Sequence, residues 1–153
     1  MPSFLVFLVL CFSAAAAGSL FTADAVRTWY PTLKKPSWNP PAFVFAPVWT
    51  VLYVMMATAG WLTWEHLPAK VACLPMVFFA VQLALNVGWS WLFFGLRRPG
   101  WAFFELILLW VFIFLSLLSF WGVYWVAGAL FVPYLLWVSF AAVLNFNVWS
   151  LNR

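Results

Sequence analysis

Charge is scarce in this chain. Its 153 residues include three acids, seven lysines and arginines and one histidine, so charged side chains make up only 7%, against about a quarter in soluble domains. A globule of this size exposes much of its chain, and so few charges would not solvate that surface. A soluble enzyme and a disordered chain are both excluded. Cysteine is nearly missing as well: Cys11 and Cys73 form no CxxC pair and no Cys/His cluster, which argues against a disulfide-stapled module, zinc, iron–sulfur and covalent haem. Both read as buried free thiols. Catalytic arrangements are as sparse. Asp24, Glu65, Glu105 and His66 supply no nucleophile–base pair and the chain has no phosphate loop, so hydrolysis and phosphoryl transfer are disfavoured. His66 reads as an interfacial loop residue rather than an axial metal ligand. The net charge of +4 comes without a basic stripe interleaved with aromatics, so nucleic acid is not an expected partner.

What remains is apolar: 68% of the residues. A membrane-crossing helix takes about 20, which leaves room for five. Runs bounded by charge or proline place them near 4–23, 43–64, 71–94, 101–121 and 125–151. In lipid every backbone polar group must bond internally, so such runs form helices; the alternating ten-residue segments of a barrel are absent. The expected fold is all-α, an integral membrane bundle of five transmembrane helices in a single domain, 1–153. The first run resembles a signal-peptide core, but it lacks a basic start and continues through Leu20 and Phe21, so a retained helix is expected. Five spans put Arg27, Lys34, Lys35, Arg97, Arg98 and Arg153 on one side and Lys70 on the other. The basic side is expected in the cytosol, with the long first loop and the C-terminus, and the N-terminus outside. Pro47, Pro75 and Pro133 fall inside or near the starts of spans and can bend them. Glu105, one turn into the fourth span, is placed to snorkel or to pair with Arg97 or Arg98.

Thirteen tryptophans stand out. Trp61, Trp64, Trp89, Trp91, Trp101, Trp121, Trp125 and Trp149 lie near span ends, where indoles anchor at the headgroups. Trp29 and Trp38 belong to the loop, and Trp49, Trp110 and Trp137 lie deeper. Trp49 shares a helical face with Tyr53. Gln82, Asn86 and Ser90 recur at four-residue spacing on the third span. Tyr134, Trp137, Ala141 and Asn145 mark the fifth. Buried amides prefer a bundle interior, where they either tie helices together or line a cavity. At 1.5 Å per residue Trp49, Asn86 and Trp137 fall in the same half of the bilayer as the loop bearing Tyr30, Trp38 and Asn39. Flat aromatic walls with a few amides suit a large planar apolar ligand, and the cationic loop complements carboxylates at its edge. A tetrapyrrole matches both features; a sterol matches only the walls.

The run WYPTLKKPSWNPPAFVFAPVWTVLY (29–53) resembles the signature of the TspO/MBR family of translocator proteins, peripheral benzodiazepine receptors and bacterial tryptophan-rich sensory proteins. QLALNVGWSWLFFGLRRP (82–99) and LFVPYLLWVSFAAVLNFNVW (130–149) resemble its third and fifth helices, in order. The resemblance implies a five-helix, usually dimeric bundle that binds porphyrins such as protoporphyrin IX as ligand, with no required cofactor. Mammalian relatives also bind cholesterol and synthetic benzodiazepine and isoquinoline carboxamide ligands. The family's pocket residues match Tyr30, Trp49, Asn86, Trp137 and Ala141. In some bacterial relatives the two tryptophans are implicated in light- and oxygen-dependent porphyrin breakdown, so Trp49 and Trp137 are the candidates for any catalytic role. A binding protein rather than an enzyme is the leading expectation. The animal cholesterol motif needs a tyrosine where this chain has Phe146, and even an intact motif is weak. The chain therefore looks like a bacterial member, in the cell membrane. Gly88 and Ala84 offer a close-packed seam for a second copy.

Overall fold

The computed structural model describes residues 2–68 and 73–153. Lys70, the lone basic residue expected opposite the others, and the first two residues of the expected third span lie outside them. Five helices account for nearly all the described chain: α1 (Pro2–Thr28), α2 (Ala42–His66), α3 (Cys73–Ser90), α4 (Pro99–Val123) and α5 (Trp125–Leu151). All five are long and apolar enough to cross a membrane, and no strand occurs among the described residues. The spans run a few residues beyond their apolar stretches. Asp24 and Arg27, read as closing the first span, continue α1 as helix, because a polar residue at a bilayer edge interrupts hydropathy without interrupting the hydrogen-bond ladder. The chain leaves the α-helix just before Pro31, in the short 3₁₀ turn Tyr30–Thr32. Pro47 and Pro133 lie within α2 and α5, where each removes one backbone donor.

The helices close into a ring in the order α1, α2, α5, α4, α3 and back to α1. One face of α1 is buried through Phe7, Cys11, Gly18 and Ala25; the rest, including Leu20 at 81% exposure, faces outward as a lipid-contacting surface must. Without a hydrophobic force between helices in lipid, association rests on close packing. The half of the bundle away from the α1–α2 connector is filled solid. Phe79 lies 5.9 Å from Phe120, which lies 5.1 Å from Phe131. Glycines permit the approach: a Cβ on Gly60 would sit 2.8 Å from the Phe7 ring, and one on Gly128 would sit 2.7 Å from the Trp121 backbone. Gly88 is spent in the same way, since a Cβ there would sit 3.2 Å from the Glu105 carboxyl of α4, whereas Ala84 is exposed. Glu105 therefore does not pair with Arg97 or Arg98: both its oxygens are buried without a hydrogen-bond partner. His66 stacks on Tyr124, rings 4.1 Å apart, where α2 ends beside the tight α4–α5 link.

Candidate ligand-binding site

In the connector half the helices diverge around a cavity of about 660 Å³. Its walls come from α1, α2, α3 and α5; α4 contributes none. The floor is a buried hydrogen-bonded layer. Tyr53 Oη donates to Asn86 Oδ1 at 3.0 Å, and Asn86 Nδ2 donates to Tyr134 Oη at 2.7 Å. Tyr134 donates onward to Gln82 Oε1 at 2.9 Å, and Gln82 Nε2 reaches Met56 Sδ at 3.4 Å. Each of these polar groups is at least 94% buried. Three helices are joined by a chain in which each donor has an acceptor, the arrangement that makes buried amides tolerable in an apolar medium. The polar stripe of α3 thus does both things open to it: Gln82 ties helices together, while Asn86 and Ser90 also face the cavity.

Aromatic rings build the sides. Trp49 stands 5.9 Å from Tyr53 and 6.3 Å from Tyr134, and Trp137 stands 6.0 Å from Phe45 and 5.5 Å from Phe140. The Trp137 N–H has no acceptor. Of the ten expected site residues, Tyr30, Trp49, Tyr53, Asn86, Trp137, Ala141 and Asn145 line the cavity. Gln82 and Tyr134 lie in the layer beneath it. Trp38 does not line it; its ring is 5.7 Å from Phe140, behind the wall, and it remains 46% exposed.

From the connector, Tyr30 reaches the cavity. Tyr30 Oη donates to Asn39 Oδ1 at 3.0 Å, and burial pushes the Tyr30 phenol above its ordinary range, an effect that this hydrogen bond partly opposes. Lys35 is engaged elsewhere than the cavity: its Nζ donates to the Tyr30 and Leu33 carbonyls at 2.8 and 3.0 Å. Arg27 is the one charged side chain among the described residues lining the space. The cation available to a guest is thus at the end of α1, not among the connector lysines.

Residues 7–150 match the family model described as TspO/MBR family. The chain belongs to the TspO/MBR family. It is 46% identical over 150 residues to the tryptophan-rich protein TspO of Chlorobaculum tepidum, covering 94% of this chain and 91% of the relative. It is 42% identical to protein CrtK of Rhodobacter capsulatus, covering 97% and 92%. It is 41% identical over 127 residues to the translocator protein of Ovis aries, covering 82% and 75%. Membership, with five apolar helices, makes this TspO/MBR chain an integral membrane protein.

Sequence reasoning missed several wall residues of this TspO/MBR member. Trp89, read as a headgroup anchor, lines the cavity and donates its N–H to Asn145 Oδ1 at 3.0 Å. Its signal was its place one turn beyond Asn86 on the same helical face. Phe93 and Phe94 are both cavity residues, because α3 runs into a wider π-type turn, Trp91–Gly95, which Leu96 N closes on Trp91 O at 2.8 Å. Such turns add a residue and re-aim side chains, and hydropathy carries no trace of them. Trp110 is not at the site: its N–H donates to Ser139 Oγ at 2.8 Å, joining α4 to α5.

Proposed function

We propose that the cavity binds a flat, largely apolar tetrapyrrole with carboxylate arms, typified by protoporphyrin IX, and that the protein acts in porphyrin transport, sensing or regulation at the membrane. The observation that carries this reading is the enclosure: about 660 Å³ walled by Trp49, Trp89, Trp137 and phenylalanines, with Arg27 as its charged group. That volume sits within the roughly 300–1,000 Å³ of small-molecule sites. Indole and phenyl faces stack on a planar macrocycle, Arg27 meets a carboxylate at its rim, and the unpartnered Trp137 N–H offers a donor. The names of the relatives, translocator and tryptophan-rich sensory protein, support a role in membrane passage or sensing. A sterol would fill the walls but leave Arg27 unused; synthetic benzodiazepine-type ligands fit the same aromatic surfaces. The protein is proposed to act as a homodimer in a bacterial cell membrane, with the connector and C-terminus in the cytosol and the N-terminus outside. Six of the seven basic residues support that orientation.

The test compares protoporphyrin IX with its dimethyl ester. Saturable quenching of tryptophan fluorescence is expected with both. Arg27→Gln is expected to weaken the diacid about tenfold, from the value of a charged hydrogen bond, and to leave the ester unchanged. Equal binding of diacid and ester by the unaltered protein would remove the carboxylate part of the proposal.

A second reading, porphyrin photo-oxidation, is favoured by the presence of both Trp49 and Trp137 in one cavity, where either indole can give one electron to the excited guest, becoming a radical cation, and the guest radical anion passes that electron to dioxygen, the oxidant. Illumination with protoporphyrin IX in air is expected to yield a discrete product, lost in Trp49→Phe and Trp137→Phe when each variant is held saturated with the porphyrin. Bleaching that is equal with and without protein would remove it.

A further inference from the structure

A second concavity, of about 410 Å³, opens at the same end of the bundle, outside the ring, between the start of α4 and the end of α5. Arg97, Arg98 and Arg153 all line it, brought together by the fold from the α3–α4 link and the C-terminus. No acid lines it among the described residues: Glu105 is turned to Gly88 and Glu65 binds Ser3 at the opposite end of the bundle. Arginine cannot shed its proton, so three like charges stand together with no acidic side chain among the described residues lining the groove.

Their placement is built rather than loose. Arg97 takes φ 55°, a backbone state that side chains other than glycine rarely adopt, and its guanidinium rests 5.9 Å from the Trp29 ring centre. Arg153 rests 5.4 Å from that of Trp149. A Cβ on Gly100 would meet the Trp149 Nε1 at 2.8 Å, so glycine there lets the indole close on the helix start. The first backbone donation of α4 is Ala102 N to Arg98 O at 3.0 Å, which leaves the Gly100 and Trp101 N–H groups ahead of the ladder and beside the arginines. The Asn152 Oδ1, the groove's side-chain acceptor, already takes the Lys34 N–H at 3.0 Å. The polar lining therefore offers donors and positive charge. Its outer rim is apolar: Trp101 and Phe104, 66% and 60% exposed, look outward along α4.

We propose that this groove is a binding site for the phosphodiester headgroup of an anionic phospholipid, the arginines holding the phosphate while an acyl chain lies along Trp101 and Phe104. Guanidinium forks match phosphate oxygens. The adjacent lipid-facing aromatics select a phosphate that carries a chain over a free one. The site is separate from the cavity and does not depend on what the cavity binds.

Native mass spectrometry of the full chain, released from nanodiscs of phosphatidylglycerol and phosphatidylcholine with matched acyl chains, tests it. The unaltered protein is expected to retain phosphatidylglycerol selectively. Arg98→Gln and Arg153→Gln are each expected to lower that retention about fivefold, and the pair about thirtyfold, from the worth of one basic residue at an anionic membrane. The single variants come from different segments, so the result does not hang on one of them folding; circular dichroism checks each. Millimolar inorganic phosphate is expected not to displace the lipid. Equal retention of the two lipids, unchanged retention in both single variants, or displacement by inorganic phosphate alone would overturn the proposal.

Discussion

One hydroxyl, Tyr134 Oη, accepts from Asn86 and donates to Gln82, and through Asn86 it reaches Tyr53. Tyr134→Phe keeps the ring and removes both bonds, leaving two buried amides short of a partner. A loss of about 1–3 kcal/mol is expected, measured by unfolding in mixed detergent, with a smaller loss for Tyr53→Phe, which breaks one bond. The amides of this layer were legible in the sequence because polar side chains on an apolar helix have few places to go. Trp89 was not, since distance from a span end gives depth and says nothing of which way the ring turns. Tyr30 carries a pH consequence. Its phenol is raised by burial, so its contribution to holding the connector is fully present below the ordinary tyrosine value of about 10 and is lost as pH climbs through the raised folded value. Protection of the connector amides, taken relative to their intrinsic base-catalysed exchange, is expected to fall at that alkaline end, and Tyr30→Phe is expected to flatten that fall.

At the scale of elements, the tight α4–α5 link provides a contrast between two glycines. A Cβ on Gly128 would lie 2.7 Å from backbone and side-chain atoms of Trp121, while one on Gly122 would meet nothing within 4 Å. Gly128→Ala is therefore expected to destabilise by about 1–3 kcal/mol, since backbone cannot yield. Gly122→Ala is expected to be neutral or stabilising by up to about 1 kcal/mol, as alanine in a helix usually is. Thermal unfolding of the two variants side by side checks this. The number and order of the helices were legible because lipid permits only internally bonded segments. Their ends were not: hydropathy stopped the first span before Asp24, whereas α1 runs to Thr28. Glu105 was misread for a related reason. Its nearness to Arg97 and Arg98 in sequence suggested an ion pair, but its face of α4 turns to Gly88 on α3, and only the ring order decides that.

For the whole molecule, the division of the bundle is what matters. Phenylalanines and small residues fill the half beyond the Tyr53–Asn86–Tyr134 layer, while the half toward the connector is hollow. Aromatic composition pointed to a planar guest, but hollowness depends on how four helices diverge, and Arg27 was one cation among several until the fold turned it to the cavity. The proposal that this hollow encloses a tetrapyrrole is tested by filling it. Ala141 lines the cavity from α5, and Ala141→Trp places an indole in the space without touching the hydrogen-bonded layer. Titration of protoporphyrin IX against tryptophan fluorescence is predicted to give saturable binding by the unaltered protein and at least about tenfold weaker binding by Ala141→Trp, the loss expected when a ligand's well-packed contacts are displaced, with thermal stability retained. Equal affinity in the two proteins would contradict the claim.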